Sequence, residues 1–125
     1  MTPSSKILCV DDDPLVLRSV ERVLSVAPEL IVETVASPAA ARARLRSGEF
    51  AVLLTDYEMP DENGVELIES VESSCDAVPV LMTGHSQLDV SLEAINRGHV
   101  YAFISKPCKG PELVATVRHA AERFH

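Results

Sequence analysis

The chain has 125 residues, 46% of them apolar, with two Tyr, three Phe and no Trp, which fits one domain around an aliphatic core. Its formal net charge of −8 argues against a nucleic-acid surface, because neutralising phosphates needs clustered Lys and Arg. No run approaches the roughly 20 apolar residues of a membrane helix, and no secretory signal precedes the first strand-like segment.

Three cysteines, Cys9, Cys75 and Cys108, are odd in number and lack CxxC spacing. That suits a reducing cytosol rather than a zinc site or a disulfide framework. Cys9 lies inside an apolar run and reads as a buried, inert thiol.

Lys6–Val10 is the first of five short aliphatic runs, followed by Leu30–Val35, Ala51–Thr55, Val78–Thr83 and Tyr101–Ser105. Each is continuous rather than alternating, which predicts strands buried on both faces. Between the first two, Leu15, Val16, Ser19, Val20, Val23 and Leu24 recur at helical spacing behind Asp13 as N-cap and Pro14 at the first helical position. Ser37–Pro38 repeats that grammar ahead of Ala39–Arg46, and Gly48 stops the helix. A third helix is predicted over Val65–Ser74, entered through Asn63–Gly64, and a fourth over Gln87–Arg97 with Gly98 as its stop. A fifth opens at Pro111–Glu112 and aligns Leu113, Val114 and Val117. Five β-α units in succession predict a parallel sheet with helices on both faces and right-handed crossovers. No linker, repeat or low-complexity tract interrupts them, so residues 1–125 read as one domain with a core of about residues 5–124.

In open parallel sheets, functional groups collect beyond the C-terminal strand ends. Asp11, Asp12 and Asp13 follow the first run, Asp56 the third, Thr83 closes the fourth, and Lys106–Pro107 follows the fifth. Converging carboxylates repel one another and lose hydration near an apolar core. A hard divalent cation such as Mg²⁺ offsets both effects, since it binds through one or two carboxylates and keeps several waters. Lys106 adds a flexible point charge that pairs with Asp56 at rest and with a phosphoryl oxygen later, and Thr83 adds a hydroxyl. Nucleophilic carboxylate, metal, cation and hydroxyl form a set able to receive a phosphoryl group.

Lys6–Pro14, Leu54–Pro60 with Asn63–Gly64, Val80–Gly84 and Ser105–Pro107 together resemble the receiver domain of response regulators in two-component and phosphorelay signalling, of the chemotaxis-regulator type. The resemblance is ordered, correctly spaced and spans about residues 5–124. It implies a flavodoxin-like (βα)5 doubly wound sandwich with strand order 2-1-3-4-5. It also implies phosphoryl transfer from a histidine kinase or a histidine phosphotransfer protein, in the cytoplasm.

Carried over by position, Asp56 is the phosphoacceptor, Asp11 and Asp12 are the metal-binding acidic pair, and the Glu58 backbone carbonyl is a further ligand to Mg²⁺ or Mn²⁺. Thr83 is the switch hydroxyl, Lys106 the phosphate-contacting lysine and Phe103 the aromatic that changes rotamer. Lys106–Pro107 is a candidate cis bond. Glu58 and His85 border the phosphoryl group and are expected to tune its hydrolysis, and Gly84 leaves room for the donor. The output domain or protein is expected on the face of the fourth helix, fifth strand and fifth helix, with Glu93, Arg97, His99 and Tyr101. Asp13 reads as helix cap, and Asp61 and Glu62 as solvated turn residues.

Two rivals share these residues. One is an aspartyl-phosphate phosphohydrolase, which wants a second Asp where this chain has Glu58, and a cap besides. The other is a pseudo-receiver, a binding module that is never phosphorylated.

Overall fold

The computed structural model describes residues 4–84, 100–107 and 109–125. In chain order it contains β1 (Ser5–Val10), α1 (Pro14–Leu24), β2 (Leu30–Val35), α2 (Pro38–Ser47), β3 (Val52–Asp56), α3 (Gly64–Val71), β4 (Val78–Thr83), β5 (Ala102–Ser105) and a C-terminal helix (Gly110–Phe124). The predicted helix Gln87–Arg97 lies outside the described residues. All four strand pairings are parallel and the order is β2-β1-β3-β4-β5, the flavodoxin-like arrangement that the receiver resemblance implied.

The helix starts follow their cap chemistry. The Asp13 carboxylate accepts from the Leu15 backbone N–H at 2.9 Å, and the Ser37 hydroxyl accepts from the Ala40 N–H at 3.2 Å. Each satisfies one of the amide donors that a helix leaves unpaired at its first turn. At α3, Asn63 forms a capping box: its side chain accepts from the Glu66 N–H and the Glu66 carboxylate accepts from the Asn63 N–H, both at 2.9 Å.

Strand pleating divides the core in two. Ile7, Cys9, Val52, Leu54, Val80 and Met82 pack toward α1 and the C-terminal helix. Leu8, Val10, Leu53 and Leu81 face α2 and α3. β1, β3 and most of β4 are buried on both faces, as continuous apolar runs predict. β2 and β5 depart from that expectation. They are the sheet edges, most of their residues are partly exposed, and Ile31 is 49% accessible. Their apolar runs resemble those of the central strands, so run composition does not separate edge from centre.

Helix α3 ends at Val71, short of the predicted Ser74. The Ser70 and Ser74 hydroxyls donate to the Leu67 and Val71 carbonyls, competing with the backbone ladder, and no basic residue in the last turn supports the helix dipole. The capping box gives one expected outcome. Asn63→Ala should lower unfolding free energy by about 1 kcal/mol, read as a drop of roughly 3–6 °C in Tm.

Candidate functional site

The order β2-β1-β3-β4-β5 sets the C-terminal ends of β1 and β3 side by side and β4 between β3 and β5. Asp11 and Asp12 follow β1, Asp56 is the last residue of β3, Thr83 the last of β4, and Lys106 follows β5. Asp11 is 1% and Asp56 5% accessible, whereas Asp12 is exposed. One carboxylate oxygen from each of Asp11, Asp12 and Asp56 lies within 4.8 Å of the other two.

One ammonium holds the two buried acids together. Lys106 Nζ lies 3.0 Å from Asp11 Oδ2 and 2.8 Å from Asp56 Oδ1. The pairing with Asp56 matches the sequence reading; the equal reach to Asp11 is an addition from the fold. Asp11 Oδ1 also accepts from the Asp13 backbone N–H at 2.9 Å, which fixes the turn leading into α1. Asp13 acts as the α1 cap.

Burial raises the Asp56 carboxyl above its ordinary 3.8; the hydrogen bond from Lys106 pulls it down, and the charges of Asp11 and Asp12 push it up again. Lys106 is raised above its ordinary 10.5. Its partial burial works against the charge, but the hydrogen bonds to Asp56 and Asp11 outweigh it. The resting site is thus an ion cluster with more negative than positive charge.

These groups line a cavity of about 630 Å³ together with Glu58, Met59, Pro60 and Gly84. Glu58 and Gly84 thus lie in the same cavity as the acids and Lys106. Thr83 is 1% accessible, and its Oγ1 has no hydrogen-bond partner among the described residues. A buried hydroxyl left this way costs free energy until a partner arrives. Phe103 is half-buried against the α2–α3 side of the core. It pairs with Leu81 while Thr83 pairs with Ser105, so pleat parity puts Phe103 and Thr83 on one sheet face. The Lys106–Pro107 bond is cis. His85, Glu93, Arg97 and His99 lie outside the described residues, and Tyr101 is exposed.

The donor set is all oxygen: three carboxylates, one of them open to solvent. Such a set fits a hard, partly hydrated divalent cation, and the surplus negative charge gives it a reason to bind.

The turn from β3 to α3 is braced in ways that composition did not reveal. The Tyr57 N–H donates to the Met82 carbonyl and the Gly64 N–H to the Tyr57 carbonyl, both at 2.8 Å. Asp61 adopts φ 74°, a left-handed conformation that Asp and Asn tolerate better than other non-glycine residues. Glu62 is not merely solvated, because Arg42 on α2 pairs with it at 2.6 Å. No spacing rule links positions 42 and 62, so only the packing of α2 beside this turn exposes the pair.

Known proteins resemble this chain over most of its length. The chain is 28% identical over 98% of its length to the C4-dicarboxylate transport transcriptional regulatory protein DctD of Rhizobium meliloti (strain 1021). It is 32% identical over 93% of its length to the hydrogenase transcriptional regulatory protein HoxA of Cupriavidus necator. It spans only 26% and 24% of those two proteins. Among solved structures, it superposes on a signal receiver domain of an HD domain-containing protein from Pseudomonas fluorescens Pf-5 with a TM-score of 0.90, at 27% identity and covering 100% of this chain and 92% of that one. An adenylate cyclase structure from Rhodopirellula baltica gives a TM-score of 0.90 at 30% identity, covering 97% and 90%. The response regulator receiver domain pattern matches residues 7–118. On that match and this geometry, the chain belongs to the response regulator receiver domain family.

Proposed function

We propose that this chain is a phosphoacceptor switch that accepts a phosphoryl group on Asp56 from a histidine kinase or a histidine phosphotransfer protein. The observation that carries this reading is Lys106 bound to both Asp56 and Asp11 at a mouth where three carboxylates meet. Asp56 supplies the nucleophile. One of its carboxylate oxygens donates an electron pair to phosphorus as the phosphorus–nitrogen bond of a phosphohistidine breaks, and that bonding pair stays with the imidazole nitrogen. Lys106 then exchanges its contact with the Asp56 carboxylate for one with a phosphoryl oxygen. Thr83 turns its unpartnered hydroxyl to donate to another.

Asp11, Asp12, Asp56 and the Glu58 carbonyl are the proposed ligands of Mg²⁺, with Mn²⁺ as a substitute. When bound, the cation offsets the negative charge that grows on the transferring group. Movement of Thr83 toward the phosphoryl group frees space on the sheet face it shares with Phe103. The shift favours one of two pre-existing conformations. Glu58 and His85 govern how water reaches the acyl phosphate. The output domain or protein docks on the face that includes Tyr101, and the module works in the cytoplasm as one receiver over about residues 5–124.

Incubation with acetyl phosphate and Mg²⁺ should give about one phosphoryl group per chain, and Asp56→Asn should give none; equal labelling of the two proteins would overturn the proposal. Mg²⁺ at about ten times its Kd should stabilise the wild type by about 1.4 kcal/mol, a rise of roughly 4–8 °C in Tm. Asp11→Asn should abolish that rise.

The raised pKa of Asp56 fixes a sign. The folded state binds the Asp56 proton more tightly than the unfolded chain, so its ionisation lowers stability above the folded-state pKa, and the loss is recovered as pH falls toward 3.8. In EDTA, urea denaturation should therefore find Asp56→Asn more stable than wild type at pH 7, with the difference shrinking on acidification.

A further inference from the structure

Asn63–Gly64 opens α3, yet Gly64 has no part in the chemistry described above. Glycine is a poor choice inside a helix start on propensity grounds. Its φ lies outside the left-handed region, so conformational freedom does not explain it either. Space does. A methyl group built on Gly64 would lie 2.3 Å from the Asp56 carbonyl oxygen, 3.1 Å from its carbonyl carbon and 2.8 Å from Leu81 Cδ1. The first residue of α3 thus sits directly against the backbone of Asp56.

We propose that Gly64 is a positioning residue for Asp56: its missing side chain lets α3 press against the Asp56 carbonyl and fixes the direction in which the carboxylate leaves the strand. The inference rests on the reading of Asp56 as phosphoacceptor and metal ligand. Three restraints leave the Asp56 backbone little freedom to absorb an added methyl. Asp56 pairs with Met82 in the sheet. Tyr57 N–H donates to the Met82 carbonyl, and Gly64 N–H to the Tyr57 carbonyl. The Leu81 contact can yield by rotation of its side chain; the carbonyl contact yields only if α3 or the end of β3 moves. A shift of the Asp56 backbone changes the distances from its carboxylate to Lys106, Asp11 and Asp12 together.

Gly64→Ala separates this role from plain destabilisation when it is set beside Asn63→Ala, which weakens the same helix start without adding an atom near Asp56. Measured on folded protein in a stabilising osmolyte, Gly64→Ala should weaken Mg²⁺ binding about tenfold or more and slow acetyl-phosphate labelling in parallel. Asn63→Ala should leave both unchanged. Without metal, the Asp56 carbonyl ¹³C shift should move in Gly64→Ala and hold in Asn63→Ala. If Gly64→Ala does not fold, Gly64→Ala/Leu81→Val carries the same measurements, because only the backbone collision remains in it. Wild-type Mg²⁺ affinity and labelling in the Gly64→Ala protein, or an equal loss in Asn63→Ala, would overturn the proposal. Wild type that neither binds Mg²⁺ nor labels overturns the Asp56 reading itself. Wild type that labels beside an equally active Gly64→Ala overturns this inference alone.

Discussion

The site depends on one cation shared by two buried acids. Asp11 and Asp56 come from adjacent strands, each largely stripped of water, and their mutual repulsion is strongest where solvent screening is weakest. Lys106 enters from β5, two strands away from β3, and its ammonium reaches both carboxylates past the end of β4, where Thr83 sits. The balance is incomplete by design of the residues themselves, since one ammonium faces three carboxylates. The folded chain therefore carries a local excess of negative charge at the strand ends, in a group of carboxylates that could hold a divalent cation.

Much of this was legible in the sequence because it is local or periodic. Asp13–Pro14 and Ser37–Pro38 mark helix starts by hydrogen-bonding chemistry that operates over three residues, and both caps form as read. β1 and β3 announce themselves by apolar runs that end in acids, and the parallel sheet follows from alternation of the two periods, whereas its strand order was implied by the family resemblance. What escaped was set by packing between elements distant in the chain. The exposure of β2 and β5 follows from their place at the sheet edges, not from their composition. The early end of α3 turns on serine hydroxyls taking up carbonyls, a competition that apolar periodicity does not register. The second bond of Lys106 to Asp11 spans 95 positions, and the Arg42–Glu62 pair depends on how α2 lies beside a turn. Asn63–Gly64 was visible as a turn signal, but the contact that needs the glycine is made with a residue eight positions earlier.

The turn between β3 and α3 illustrates how a short segment is held without regular structure. Its backbone is fixed at one end by the sheet, at the other by the capping box, and in between by an ion pair from a different helix. Glu58, Met59 and Pro60, which line the cavity, are carried on this braced frame. The rim of the site thus inherits the rigidity of the core on one side while staying open to solvent on the other.

Strand β3 has a further property that bears on assembly. Val52, Leu53 and Leu54 are apolar on both faces of the sheet, so hydrophobic burial alone tolerates a one-step displacement of the strand against β1 and β4, unlike a strand with one wet face. Asp56 removes that tolerance. Drawn one position inward, its carboxylate would enter the apolar stack beside Val10 and Leu81, away from Lys106 and from water, at a cost of several kcal/mol for an uncompensated ion. The same acid that faces the mouth of the site is an alignment pin for the central strand, and it excludes the mis-threaded sheet that its apolar neighbours would accept.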